Sequence, residues 1–321
     1  MGRSMATHDQ TDHVTESPEE VGDWETRLRY FLNSDFVRSA PYWGIPFVLM
    51  GIAVYGGIGY NLVISFTDYE GLGSPDFSSL DFEMYTQALS SDAFLMAAQN
   101  NLVLLVVFTT VCLILGLFLA VLLDHGIRFS EKFQTVYLLP MSLSFVVTAQ
   151  LWLWMFNVES GILNLIVTTF GFNPVDWIGN PSVSLGAVIF ALVWQFSGYT
   201  MVVYLAGLQS IPDDQFEAAR VDGASTIKTY LRIIIPQLKE ASVSAAVVLM
   251  VFALKAFTFL YALVGRYRPP NGTDILATLM VRRAFKFGEW AYSAAIATML
   301  LLMALGVIGP YLYYQHKQGS L

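Results

Sequence analysis

The side chains best placed to do chemistry are polar ones set inside long apolar runs: Gln150, Gln195, Tyr199 and Lys255. They share those runs with Trp152, Trp154, Trp194, Ser197, Phe252 and Phe257. Amides and hydroxyls hydrogen-bond the hydroxyls of a polyol, and flat rings stack on its apolar face. This is the chemistry of holding a polar ligand, not of breaking a bond. Polar groups at membrane depth are costly and mark substrate pathways by default. The glutamines equally suit hydrogen-bonded packing between helices, and Trp152, Trp154 and Trp177 suit an interfacial aromatic belt. Lys255 fits a wet cavity, a carboxylate on a partner subunit, or a snorkelling position along its four-carbon stem.

Bond-making chemistry is poorly supplied. The apolar runs hold hardly any Asp or Glu, no histidine cluster and no activated nucleophile. His8, His13, His125 and His316 are far apart, and Cys112 is the single cysteine, so neither a metal centre nor a disulfide framework is expected. No Gly-x4-Gly-Lys-Ser/Thr phosphate loop occurs. No catalytic residue, metal or cofactor is assigned to this chain.

The elements that must position these side chains follow from composition. Of 321 residues, 55% are hydrophobic and 13% charged, about half the roughly 25% charge of a soluble protein. So little charge cannot cover a water-facing surface, and the net charge of −8 argues against a nucleic-acid partner. Crossing a bilayer takes about 20 mostly apolar residues. Six windows qualify, at roughly 43–66, 98–123, 135–157, 184–208, 241–264 and 290–314. The reading is an all-α polytopic membrane protein with six transmembrane helices. An acidic tail 1–41, with a surface helix near 24–34, precedes a transmembrane domain 42–314 and a short tail 315–321.

Lysine and arginine orient such a chain. They occur in 1–41, 124–134, 209–240 and the C-terminal tail, and not in 67–97 or 158–183. Both termini are therefore expected in the cytoplasm of a cell-membrane protein. The outer segment 265–289 departs from the rule with Arg266, Arg268, Arg282, Arg283 and Lys286. Either the inner charges outvote it, or its arginines meet an acidic partner. A short helix is expected over 274–287, with Ile275, Leu276, Leu279 and Met280 on one side and a basic end.

Loop 209–240 reads as a helix–turn–helix. Pro212, Asp213 and Asp214 suit a helix start, and Gly223 permits a left-handed exit. Ser225 is placed to cap a second helix, and Pro236 to limit it. The spacing Glu217-Ala218-Ala219, Gly223, Ile233-x-Ile235-Pro236 resembles the EAA loop of ABC importer permeases. Similarity to the carbohydrate branch extends over roughly 40–318, through Leu138-Leu-Pro-Met141, Trp152-Leu-Trp154-Met-Phe-Asn157, Gly161-Ile-Leu-Asn164, Trp177-Ile-Gly-Asn180 and Tyr292-Ser-Ala-Ala295. The maltose and glycerol-phosphate type is the nearest match. Arg-Tyr-Arg-Pro-Pro at 266–270 stands where relatives often have a Gly-Gly-Pro turn.

The resemblance implies a type I ABC importer permease fold whose loop is a coupling helix docked in a cleft of a separate ATPase. Glu217, Ala218, Ala219, Asp222, Gly223, Ile233 and Pro236 would form that contact. Tyr199 and Phe252 fall on sugar-contacting positions, joined as pathway candidates by Gln195, Trp194, Lys255 and Gln150. Ala253 and Ala256 replace asparagines of the relatives, which shifts binding towards the paired permease. Arg266, Arg268, Arg282 and Arg283 are candidates for receiving an extracellular binding protein. The implied assembly has a second permease, an ATPase dimer carrying ATP and Mg, the binding protein, a sugar and membrane lipid. An ion-driven secondary carrier is the alternative, disfavoured by the lack of intramembrane carboxylates.

Overall fold

The computed structural model describes residues 35–71, 73–124, 129–264 and 272–317. The surface helix expected near 24–34, Arg266 and Arg268 lie outside them. Every described element is helical, as lipid requires of a chain that must satisfy its own backbone groups. Two compact units separate, residues 1–60 and 61–321. The described part of the first belongs to helix α1, Asp35–Ile64, which carries exposed Tyr42, Phe47, Met50 and Tyr55. Its residues 35–41 lie inside the segment read from the sequence as tail.

The second unit continues with α2 (Glu83–Ser90), α3 (Asp92–Asp124), α4 (Ser130–Ser142) and α5 (Phe145–Met155). Then come α6 (Ile162–Thr169), α7 (Ser184–Gln209), α8 (Asp213–Val221), α9 (Thr226–Gln237) and α10 (Lys239–Leu254). The chain ends with α11 (Phe257–Val264), α12 (Leu276–Arg282) and α13 (Trp290–Lys317). α1, α3, α7 and α13 are each long and apolar enough to cross a membrane, and the bent pairs α4–α5 and α9–α10 bring the number to six if each is one crossing.

Two windows expected as straight crossings are broken. Between α4 and α5 the chain bends by 100°. Pro140 lacks an N–H and disfavours helix at the residue before it. The helix tightens into a 3₁₀ turn over Leu139–Ser142, and Leu143 (ψ 142°) and Ser144 (ψ 153°) are extended. Ser144 Oγ then accepts from Val147 N at 3.3 Å and starts α5 afresh. The fifth window breaks at Lys255–Ala256, between α10 and α11, without proline or glycine.

α7 is the central helix, with 61% of its most apolar window buried against 6% for α1. It packs most extensively on the second half of α3. A Cβ added at Gly116 would overlap the Thr200 side chain and the Met201 backbone nitrogen, so only glycine lets these backbones approach so closely. Thr200 Oγ1 donates to Cys112 O at 2.8 Å in the same crossing. Gly198 likewise lets α4 pass, since a Cβ there would meet Tyr137 O. The main core joins Leu104, Phe108, Trp152, Leu192, Phe196, Leu249 and Phe259, from α3, α5, α7, α10 and α11.

Candidate functional site: the coupling loop and the helix wall behind it

Asp213 and Asp214 occupy the first turn of α8 and Arg220 its last, each favourable to the helix dipole. The exit is a Schellman turn: Ala224 N donates to Ala219 O at 3.0 Å and Gly223 N to Arg220 O at 3.1 Å. Gly223 has φ +70°, with nothing within 4 Å of an added Cβ. It is therefore held to glycine by backbone conformation, while the space around it is open. Ser225 departs from expectation. It is extended at ψ 153°, yet its side chain makes no cap hydrogen bond.

Pro236 lies one residue before the end of the second helix. α9 runs through it to Gln237 and bends by 65° into α10 at Leu238. A proline clashes with the carbonyl four residues back, and the π-helical turn Tyr230–Ile234 supplies the wider path that relieves this.

The two arms are braced. Gln237 Nε2 donates to Gln215 Oε1 at 2.6 Å and to Ile233 O at 2.8 Å. Phe216 packs edge-on against Tyr230, with centroids 5.9 Å apart. Tyr230 OH donates to Asp124 Oδ2 at 2.5 Å. On the other side, Tyr204 OH donates to Ser242 Oγ at 2.9 Å, and Ser242 Oγ to Leu238 O at 2.8 Å.

What the loop leaves uncovered is an apolar face: Val221, Ile227 and Leu231 are 86%, 73% and 62% exposed. Glu217, Ala218, Asp222, Gly223, Ile233 and Pro236 are exposed beside it. Ala219 is not among them. It is buried within this chain, so its small side chain serves the packing of α8 on the rest of the loop.

Among the pathway candidates, Phe252 stands 4.6 Å from Phe196 and 6.2 Å from Phe145, centroid to centroid. Trp194 packs edge-on against Trp152 at 5.6 Å. Gln195 is buried and donates through Nε2 to Leu143 O at 3.0 Å, satisfying a carbonyl freed by the α4–α5 break. Tyr199 is half-buried against the main core. Gln150 is exposed and bridges α5 to α11 through Ala262 O at 2.8 Å. Lys255 is exposed at the C-terminal end of α10, and its ammonium has no ion pair or hydrogen bond among the described residues. A cation there complements the negative end of the helix. Trp152, read from the sequence as a belt residue, is 3% exposed and belongs to the core.

At the far end, Asn100 Nδ2 donates to Gly272 O and Asp274 O at 2.6 and 2.8 Å, and Asn101 Oδ1 accepts from Leu276 N at 2.8 Å. Arg282 is buried and ion-paired with Asp274, which corrects its reading as a surface docking residue. Its charge is neutralised inside the chain, where it pins α12 to the turn before it. Arg283 is half-buried, 2.8 Å from Glu289 and stacked over the Tyr292 ring at 4.9 Å. Among the described cations of this segment, Lys286 is the exposed one.

Residues 112–318 match the family described as binding-protein-dependent transport system inner membrane component. The chain belongs to that family. It is 87% identical to the xylose/arabinose import permease protein XacH of Haloferax volcanii, over 99% of this chain and 100% of that one. A probable ABC transporter permease protein of Pyrococcus horikoshii is 48% identical over 84% of this chain and 92% of its own. Among solved structures, a bacterial ABC transporter involved in the import of the acidic polysaccharide alginate aligns with a TM-score of 0.76 at 20% identity, over 92% of this chain and 99% of that one. The fold is thus that of an ABC importer permease, a multi-pass membrane protein and a transport subunit rather than an enzyme.

Sequence reasoning about this permease missed the exposed Val221, Ile227 and Leu231. The signal was present, since apolar residues on a charged, polar loop are out of place unless something covers them. It also missed the asparagine pair Asn100 and Asn101, which opens an apolar run and holds the far-end segment.

Proposed function

We propose that this permease carries a pentose, xylose or arabinose, into the cell as one of two permease subunits of an ATP-driven importer. The observation that carries the reading is the 87% identity to a xylose/arabinose import permease over essentially the whole of both chains. The geometry of the loop supports the coupling half of it. α8 and the turn after it present Glu217, Ala218, Asp222 and Gly223 in a loop that leaves Val221, Ile227 and Leu231 uncovered; Tyr230–Asp124 ties that loop to α3, Leu238–Ser242–Tyr204 ties it to α10 and α7, and Gln237–Gln215 braces its two arms.

In this reading an ATPase dimer, which carries ATP and Mg, grips the α8–α9 loop from the cytoplasm. Its closure pushes α8, and the braced loop transmits the push to α7 and α10. Those helices hold Gln195, Trp194, Tyr199, Phe252 and Lys255, so access to the pathway alternates between the two sides. The sugar arrives from an extracellular binding protein that docks near α12 and the turn after it, where Arg283 and Lys286 lie. Both termini are cytoplasmic. The test is uptake of labelled xylose by proteoliposomes holding the whole importer. Uptake that needs internal ATP and the binding protein supports the reading; uptake sustained by an ion gradient alone, without ATP, contradicts it.

A further inference from the structure

α6 turns an apolar edge away from the rest of the chain. Ile162, Leu165 and Ile166, spaced to share one side of the helix, are exposed, and Phe170 and Phe172 just beyond it are 75% and 70% exposed. The segment between α5 and α7 holds only two charged residues, Glu159 and Asp176, too few to mark this edge as a face for water. Asn164, on the opposite side of α6 and 3% exposed, fixes that orientation. It accepts from Val175 N at 2.9 Å and Trp177 Nε1 at 3.1 Å, and donates to Val158 O and Val175 O at 3.2 and 2.9 Å. These bonds satisfy irregular backbone on both sides of α6, as a position beside lipid requires.

Against α6 lies a cleft of about 450 Å³ walled by Phe156, Leu163, Trp177, Val183, Gly186 and Phe190. The Trp177 N–H is taken by Asn164, and Ser182 brings the only hydroxyl of the lining. A sugar would find little to bond there, whereas an apolar chain needs nothing more. The cleft follows α7 from just before its start at Ser184 to Phe190. α7 has 26 residues, roughly 39 Å of helix against a hydrocarbon core of about 30 Å. Its first turns therefore reach the headgroup level at the boundary away from the α8–α9 loop. Trp177 and the exposed Trp154, in the last turn of α5, belong to the same end, and tryptophans gather at such boundaries. Through exposed Phe190 and Trp154 the cleft is continuous with the surface these spans offer to lipid.

We propose that this cleft binds one chain of a membrane lipid, with α6 lying in the interface as its rim. The headgroup stays at the level of Ser182 and the tryptophans, and the chain lies along α7 against Gly186 and Phe190. Ile162, Leu165, Phe170 and Phe172 sink among the neighbouring chains. Gly186 leaves the room: an added Cβ meets nothing within 4 Å, so a larger side chain there grows into the cleft. Phe156 and Phe190 also hold the Trp152 ring, at 5.2 and 5.3 Å, so the bound chain backs the packing of α5 on α7.

The test places the complete importer in phosphatidylcholine vesicles doped with a phosphatidylcholine that carries a diazirine partway along one chain. After illumination, mass spectrometry locates the inserted lipid. Insertion at Phe156, Val183 and Phe190 is expected to exceed that on the open face of α1, at Phe47 and Met50. It should be lost in Gly186→Phe, with the α1 label unchanged. Cleft walls labelled no more than α1, or labelled equally in the variant, overturn the site. If the variant does not assemble, the wild-type comparison decides by itself: excess label in the cleft sustains the site, and its lack overturns it. Benzoylphenylalanine placed at Leu165 then identifies what covers α6. Lipid adducts sustain the proposal, and cross-links to a second permease or to the binding protein in their place overturn it.

Discussion

Tyr230 donates a 2.5 Å hydrogen bond to the Asp124 carboxylate, so α9, the second arm of the α8–α9 loop, is tied to the last residue of α3. The bond joins residues 106 apart in the sequence and fastens the loop to the helix that packs most extensively on α7. Tyr230→Phe keeps the ring against Phe216 and removes the bond. A hydrogen bond to a charged group is worth about 1.5–3 kcal/mol, and a loss of that order is expected in thermal or denaturant unfolding. Sugar carried per ATP hydrolysed should fall as well. An unchanged transport-to-hydrolysis ratio would show that this tie does not transmit the push.

Gly116→Val is expected to be strongly destabilising. Its side chain would run into Thr200 and the Met201 backbone, at the closest approach of α3 and α7. Overpacking of this kind costs about 1–3 kcal/mol, more where backbone must move. Gly306→Ala, with nothing within 4 Å of the added carbon, should leave the midpoint unchanged or slightly raised. Equal midpoints for the two variants would remove the close crossing.

Arg282→Met leaves the Asp274 carboxylate buried without its ion pair. Breaking a buried pair on one side costs about 3–5 kcal/mol. The expected defect is structural: a lowered midpoint and increased proteolysis around 272–290, insensitive to ionic strength. Lys286→Gln, at an exposed cation, should instead slow binding-protein association chiefly at low salt. A salt-dependent association defect in the Arg282 variant, with normal stability, would restore it as a docking residue.

The apolar windows were legible because bilayer thickness dictates element length, and composition alone reveals such runs. The breaks were not. The runs around Leu143 and Ala256 stay apolar on average despite Ser142, Ser144 and Lys255, so averaging over a window hides them. Pro140 was visible, but the bend comes at Leu143–Ser144, and Lys255–Ala256 carries no breaker residue at all. Gly223 was legible because a left-handed helix exit has a strong residue preference. Ser225 misled because an extended residue before a helix adopts the cap backbone without making the cap bond. The burial of Arg282 follows from the turn at 273–275 that brings Asp274 under α12, a tertiary arrangement with no signature in spacing. Trp152 read as a belt residue because sequence does not say which face of α5 meets α7.

The most direct test of the coupling-loop assignment is copurification of the tagged permease from native membranes, wild type beside Gly223→Asp, with companions identified by mass spectrometry. The glycine has φ +70° on an exposed turn, so the substitution disturbs the loop while leaving the membrane core intact. The account expects the wild type to bring an ATPase and a second permease in comparable amounts. The variant should keep the second permease, lose the ATPase and carry no sugar. A variant that retains the ATPase and transports at the wild-type rate, or a wild type that comes out alone and still transports, would contradict it.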